Sequence, residues 1–548
     1  MIQAEDPRGR RRLIYVTLAA LVVLVWLAAA ASRPLFNPDE GRYAEIPREM
    51  LTDSDWVIPH LNGLDYIEKP PLQFWATALA YRVLGVNEFS ARLYTALTAL
   101  ATVALVGLLA GRLWSPATGW RAAAVLSGML IFIILGQLVT LDMSLTFYMT
   151  ASLAGFLLAQ CSAEKARRWM LVAWIAAALA VLTKGVVAAA IPAAVLLIYS
   201  LMSRDFTPWR RLNLKWGLPL FLCLAVPWHW LAASRLDDFL QFFFVHEHIA
   251  RYLTPVADRQ EPWWFFAFVF LIGTIPWTVP ALRVVVSGWR SRAPRGRFNP
   301  SLFLWIWVMF IGVFFSLSDS KLMPYILPAM PALAVLIAAL PAGILKRDFR
   351  ITAILTAVVG LALGVASFYL ARLIPPSAEP SYFLALAVPL RETAALLVVS
   401  GVFVWVQRAG EATHAGVFLG VGWCLAGMLL MRSAALVAPL YSGINLANAV
   451  PASDRDAPIY SVRTYDQSLT FYLRRTVTLV GYRGELDYGL RKAPQGEISN
   501  VDEFLRLWDS QTRAFALMDK RTFDAFKERG VAMRMIGQNQ REVMVSRQ

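Results

Sequence analysis

"LQFWATALAYRVLG", Leu72 to Gly85, is the stretch on which the fold turns. As a helix its 14 residues would rise only about 21 Å, short of the ~30 Å of hydrocarbon in a bilayer, and it carries Gln73 and Arg82. If it crossed a membrane, the basic loops Lys165/Arg167/Arg168, Arg204/Arg210/Arg211/Lys215, Arg290/Arg292/Arg295/Arg297 and Lys346/Arg347/Arg350 would all fall opposite the leading "RGRRR" of Arg8 to Arg12. That contradicts the positive-inside rule. If it lies on the surface as an amphipathic helix, every one of those loops joins the N-terminus on the inner side. The second arrangement is adopted.

Apolar runs on either side then read as 13 spans: 13–32, 91–113, 119–138, 144–161, 168–183, 186–203, 215–233, 263–285, 301–317, 322–342, 351–372, 384–405 and 413–433. An odd number puts the C-terminus outside. The first run, "LIYVTLAALVVLVWLAAAASRP", is longer than the apolar stretch of a signal peptide and is read as an uncleaved anchor. With 58% hydrophobic residues and a mean hydropathy of +0.52, the chain is a polytopic α-helical membrane protein and not a soluble one. The net charge of +15 would suggest nucleic acid in a soluble chain; here the cations occupy short loops and set topology, so no nucleic-acid partner is expected. Cys161, Cys223 and Cys424 stand singly in apolar runs and support neither disulfides nor a thiolate metal site.

Residues 1–450 form the transmembrane part, with outer loops 33–90 and 234–262; residues 451–548 lose the long apolar runs. In that tail "APIYSV", "VTLVGY", "AFALMD" and "VAMRMIG" read as strands, with "SLTFYLRR", "VDEFLRLW" and "TFDAFKER" as helices. The pattern is a small outer α/β domain, parallel in part.

Under this topology Asp39, Glu40, Arg42, Glu45, Glu68, Lys69, Asp142, Lys184, Asp319, Lys321 and the loop with His246, Glu247 and His248 share the outer face. Each also has a structural explanation. "NPDE" can start an interfacial helix, Asp142 can cap a span, and Lys184 and Lys321 can snorkel from helix ends. "EKPP" can break the chain before the surface helix, and Tyr325 can anchor at the interface. His246 and His248, two residues apart, do not share a helix face, so at most one joins Glu68 in a metal pair. It is the conjunction on one face that points to a polar cavity opening outward. A one-sided cavity suits a substrate resident in the membrane better than alternating access does. Lys69, Arg42, Lys184 and Lys321 could bind phosphate, two carboxylates could act as base or metal ligands, and Trp56, Tyr43 and Tyr66 could stack on a sugar. That is a site for glycosyl transfer from a lipid-phosphate donor; a lipid or sugar transporter is the rival from another class.

"NPDEGRYAEIPREML" with "YIEKPPLQFWATALAYRVLGVNEFSARL" resembles the GT-C membrane glycosyltransferases, which use polyprenyl-phosphate sugars, and most closely the lipid A 4-amino-4-deoxy-L-arabinose transferases, the ArnT family. The resemblance spans the whole chain. It implies an undecaprenyl-phosphate aminoarabinose donor, a lipid A phosphate acceptor, and a bacterial inner-membrane enzyme with a cytoplasmic N-terminus and a periplasmic C-terminal domain. By motif position Asp39 is similar to the family's essential first-loop aspartate, with Arg42, Tyr43 and Tyr66 beside it. Lys69 resembles its donor-phosphate contact and Asp142 its second aspartate. Lys184, and Tyr325 in the "KLxxYxLP" pattern that Lys321 opens, resemble further cavity residues. Glu68 and His248 look like its metal-associated pair, which implies a divalent ion such as zinc or magnesium. The loop opens with Asn37 where the family's commoner residue is expected to be Asp. The motifs do not define the sugar, and another lipid-linked transferase of the protein O-mannosyltransferase kind is the alternative.

Overall fold

The computed structural model describes residues 7–162, 164–250, 252, 260–291, 297–374, 380–407 and 412–547, with only the backbone described at 7, 8, 248, 249 and 373. The chain divides into two compact units. The first comprises Met1–Ala30, Thr95–Leu370 and Ala387–Met431; the second comprises Ala31–Tyr94, Ala371–Leu386 and Arg432–Gln548.

Among the described residues, eight helices are long and apolar enough to cross a membrane: Gly9–Ala30, Glu88–Leu113, Leu141–Cys161, Ala166–Lys184, Leu214–Arg235, Ala342–Phe368, Pro380–Val406 and Ala412–Leu436. The protein is therefore a polytopic helical membrane protein. The expected count of 13 is not reproduced by this criterion, because the other five segments are short or interrupted. Val187–Ser203, Pro300–Ser316 and Met323–Ala338 are apolar but shorter. The segment expected at 119–138 breaks between Pro116–Ser127 and Leu130–Leu135, and that at 263–285 breaks between Phe265–Gly273 and Thr278–Ser287. Pro276 lies in the second break and has no N–H to continue a helix. The two breaks serve each other, since Leu130 N–H donates to the Ile275 carbonyl at 2.9 Å. Backbone groups freed at membrane depth need such a partner.

In the second unit, Leu72–Leu84 forms a helix of 13 residues. It buries Gln73, Phe74, Thr77, Ala78 and Tyr81 and exposes Leu79, Val83 and Leu84, so one face packs on protein and the other offers apolar surface. The length excludes a crossing and the exposed face suits the interface. Upstream, Asn62 and Gly63 turn a two-stranded ribbon, β1 (His60–Leu61) with β2 (Leu64–Asp65), at φ +57° and +72°. Both residues of a tight hairpin turn need positive φ, which Asn-Gly supplies.

The C-terminal part of this unit is a six-stranded sheet in the order β5-β4-β3-β6-β8-β7. Its strands are β3 (Ile459–Val462), β4 (Thr478–Val480), β5 (Glu497–Ile498), β6 (Phe515–Asp519), β7 (Arg534–Gln538) and β8 (Glu542–Ser546). β5, β4, β3 and β6 run parallel, while β8 and β7 close the sheet antiparallel. Helices Gln467–Leu473, Val501–Ser510 and Lys520–Glu528 are each capped by the side chain just before them, Asp466, Asn500 and Asp519. Tyr460, Phe504, Trp508, Phe526, Val543 and Val545 share the core between sheet and helices. The outer loop expected at 234–262 contains a π-helix, Gln241–Ala250.

Candidate active site

"NPDE" opens the helix Asp39–Asp53, which is held from three directions within its unit. Glu40 takes Arg33 Nη1 at 2.5 Å and Arg92 through Nε at 2.8 Å and Nη2 at 2.9 Å, and accepts Phe36 N–H at 3.1 Å. Arg92 also donates to the Arg33 and Pro34 carbonyls at 2.6 and 2.8 Å. Burial alone would raise the Glu40 carboxyl, but Arg92 and Arg33 outweigh it and hold the group at about 2. Next, Gly41 lets the helix meet Gln467–Leu473 backbone to backbone: a Cβ there would lie 2.7 Å from the Gln467 carbonyl carbon and 2.8 Å from Ser468 Cα. Finally, Glu49 accepts the Asn62 and Gly63 N–H groups at 2.7 and 2.8 Å, and Asn62 pairs twice with the Val477 backbone. Asn37 N–H donates to the Tyr441 carbonyl at 2.9 Å, and its Oδ1 accepts Gln467 N–H at 3.2 Å. The departure from Asp therefore falls on a structural tie.

With the helix fixed, Asp39 is more than half exposed while Arg42, Tyr43 and Tyr66 are buried. Arg42 reaches Asp39 at 3.5 Å and Glu485 at 3.4 Å, and lies 6.0 Å from the centre of the Tyr43 ring. Glu485 is braced by Gln467 Nε2 and by the Tyr482 hydroxyl, which donates at 2.8 Å. Burial raises the Glu485 carboxyl, yet Arg42 and the bonds from Gln467 and Tyr482 bring it below its ordinary value. Burial likewise works against the Arg42 charge, and Tyr66, Glu485, Tyr43 and Asp39 overcome it. Beside them Tyr66 donates to Glu68 at 3.3 Å, and Lys69 Nζ sits 2.9 Å from the Glu68 carbonyl and 3.8 Å from its carboxylate.

The first unit holds a second cluster. Asp142 lies in the first turn of Leu141–Cys161, where the helix dipole favours an anion, and Lys184 ends Ala166–Lys184, where it favours a cation. Lys184 Nζ bonds Asp142 Oδ1 and lies 4.7 Å from the centre of the Tyr325 ring. Lys321 is buried and has no hydrogen-bond or ion-pair partner among the described residues.

The structure thus joins Asp39, Arg42 and Tyr43, joins Tyr66, Glu68 and Lys69, joins Asp142, Lys184 and Tyr325, and among the described residues joins Lys321 to none of them. The His248 side chain lies outside the described residues, among which no group of three His, Cys, Asp or Glu could hold a metal. Glu68 faces the Lys69 ammonium at 3.8 Å. The sequence reading missed Glu485, which meets Arg42 from 443 positions away, and Tyr482 and Gln467, which brace Glu485. One signal was present: Gly481 and Gly484, both at positive φ, frame a tight "GYRGE" turn that presents the acid.

Likeness to known proteins defines the chain as a membrane glycosyltransferase of the lipid-linked-donor class. Residues 446–547 match the aminoarabinose transferase C-terminal domain, and residues 13–243 match dolichyl-phosphate-mannose-protein mannosyltransferase. The undecaprenyl phosphate-alpha-4-amino-4-deoxy-L-arabinose arabinosyl transferase of Pectobacterium carotovorum is 30% identical over 525 residues, covering 89% of this chain and 88% of that one. The crystal structure of ArnT from Cupriavidus metallidurans bound to undecaprenyl phosphate is similar with a TM-score of 0.89 and 32% identity, covering 97% of this chain and 98% of that one. The same protein in the apo state gives 0.88 and 31%, with 99% of each chain covered. The chain belongs to the aminoarabinose transferase (ArnT) family.

Proposed function

We infer that this chain transfers 4-amino-4-deoxy-L-arabinose from undecaprenyl phosphate to a lipid A phosphate. The whole-chain likeness to a relative solved with undecaprenyl phosphate carries the reading, and the caged cations beside Asp39 supply its chemistry. The N-terminus is cytoplasmic, the C-terminal α/β domain is periplasmic, and the membrane is the bacterial inner membrane, in keeping with the basic loops and the non-spanning Leu72–Leu84 helix.

In the reaction an acceptor phosphate oxygen forms a bond to C1 of the sugar while the bond from C1 to the prenyl-phosphate oxygen breaks, and the electron pair leaves with that phosphate. The acceptor is anionic at neutral pH, so it needs no strong base. Asp39, exposed and tethered to Arg42, orients the acceptor and balances charge. Lys69 and Arg42 stabilise the negative charge that grows on the departing phosphate, Arg42 from a buried position where a fixed donor is worth more than in water. Tyr43 and Tyr66 line the sugar, while Asp142 with Lys184, Tyr325 and Lys321 supplies further polar contacts to the substrates.

Lys69→Ala abolishes transfer with the thermal unfolding midpoint unchanged. The measurement is mass spectrometry of lipid A from cells expressing the wild type or the variant, scored by the gain of one pentosamine. Near-normal product from the variant would remove Lys69 from the chemistry. No gain from the wild type under strong expression would remove the whole reading. The likeness of residues 13–243 to mannosyltransferases keeps a hydroxyl acceptor as the second reading. In that case Asp39 must be a true base, and the rate falls as its carboxylate protonates; a phosphate acceptor gives no such limb from Asp39.

A further inference from the structure

In the first unit, helices Ala342–Phe368, Ala387–Val406 and Ala412–Ser433 wall a cavity of about 370 Å³. Lys346, Arg347, Arg350 and His414 line it together with Phe403 and Phe418. Helical spacing explains the row of cations: positions 346, 347 and 350 continue to Ile351 and Ile354 along one face, while Leu345, Asp348, Phe349 and Thr352 are buried on the other. Asp348, the acid nearest in sequence, is consumed on that buried face by Arg283, which donates to it at 2.7 and 2.8 Å. Among the described residues Lys346, Arg347 and Arg350 have no hydrogen-bond or ion-pair partner.

Nothing in the helix itself favours this placement. The three cations lie in its second and third turns, beyond the reach of the macrodipole, which neither calls for them nor holds them there. Topology accounts for basic residues in loops, such as Arg290 and Arg297, but does not call for a row of them along a cavity wall. The cavity also lies at the N-terminal end of the membrane body: Tyr15, three residues after Arg12, hydrogen-bonds His414 Nδ1 at 3.1 Å. From the cavity, exposed apolar side chains run along both flanking helices, Ile354, Val358 and Leu361 on one and Phe403 and Val399 on the other. Cations at the mouth and an apolar track leading away from it match a phosphate head group with acyl chains.

We propose that this cavity binds the head group of an anionic phospholipid from the leaflet on the side of the basic loops, with its acyl chains along those apolar tracks. The volume falls in the range of small-molecule sites, and an inter-helical basic pocket at the inner boundary is where such a lipid would be held.

Native mass spectrometry of the full chain, delipidated and then given phosphatidylglycerol or phosphatidylcholine vesicles, tests this. The wild type retains phosphatidylglycerol and not phosphatidylcholine. Affinity falls about fivefold for each cation removed across Lys346→Ala, Arg347→Ala and Arg350→Ala. The loop variants Arg290→Ala and Arg297→Ala leave retention unchanged. Equal retention in the cavity variants, or equal loss in the loop variants, overturns the proposal. So does full occupancy by inorganic phosphate in place of the lipid, which would make this a free-phosphate site. Should the cavity variants fail to fold, photoactivatable phosphatidylglycerol on the wild type decides. Adducts at Ile351, Ile354 or Phe403 support the site, and adducts confined to other surfaces sink it.

Discussion

Asp39 and Glu40 are adjacent carboxylates with opposite environments. Glu40 is closed in by two guanidiniums and is ionised far below its ordinary value near 4.5, whereas Asp39 is left largely in solvent. The sign of the linkage follows from a depressed folded-state value. Glu40 contributes fully above about 4.5 and its contribution is lost as pH falls from there toward 2, amounting to about 3 kcal/mol. Glu40→Gln also leaves Arg33 and Arg92 buried without their anion, at a cost of about 3–5 kcal/mol. A thermal melt in detergent at neutral pH should show that loss, and a pH series should show a flattened acid limb for the variant. Glu485 makes a useful contrast, because it supports one cation and does not knit the loop together. Glu485→Ala should lower transfer about tenfold through a loosened Arg42, with a smaller change in melting temperature than Glu40→Gln. Asp39 was legible in the sequence because an acidic pair followed by basic residues, just past the end of a span, is conspicuous. The cage around Glu40 was not, because Arg92 lies 52 positions downstream inside an apolar helix, and pairings at that distance leave no local pattern.

At the scale of elements, the first-loop helix depends on how closely it can approach Gln467–Leu473. Gly41 makes that approach possible, and the obstacle to any larger residue is backbone, which cannot rotate away. Gly41→Ala should therefore cost at the upper end of the 1–3 kcal/mol typical of overpacking, and activity should fall with it as Asp39 and Arg42 move off their partners. The check is melting temperature together with transfer by the variant: a normal melt with normal product would mean that the helices can separate freely. Which segments of the tail are helices and strands was readable from local pattern, as in "AFALMD" and "VDEFLRLW", which fall on β6 and on the helix Val501–Ser510. Periodicity did not reveal where helices break. The break after Ser127 has no proline; Gly128 is there, 2.8 Å from Gly420 Cα if given a Cβ, and a close helix contact of that kind is tertiary information. β5 is only two residues long and β8 follows directly on a turn, so both are strands by virtue of the neighbours they pair with and not by pattern.

For the whole molecule, one reading governs the sidedness of everything after it. The helix Leu72–Leu84 has the length and the exposed apolar face of an interfacial element, and under the proposed topology the segments on either side of it, Asp39–Asp53 before and Glu88 after, share one face of the membrane. The sequence could show this because charge bias in distant loops had already selected between two arrangements. It could not show which residues of the C-terminal sheet domain support the first loop. Single cysteines make the sidedness measurable in a chain whose exposed Cys161 and Cys223 are replaced by serine. Asp53 and Leu317 are exposed in loops, and Lys520 in the α/β domain, that are assigned to the periplasm, and Arg290 is exposed in a loop assigned to the cytoplasm. In intact spheroplasts a membrane-impermeant maleimide should label Asp53→Cys, Leu317→Cys and Lys520→Cys, and should reach Arg290→Cys only after lysis. Were Leu72–Leu84 a true crossing, Asp53→Cys and Leu317→Cys would label from opposite sides and Arg290→Cys would join Asp53→Cys. That outcome would part Lys69 from Lys321 by the thickness of the bilayer, and a transfer that needs both phosphate-binding residues at one membrane face could not take place.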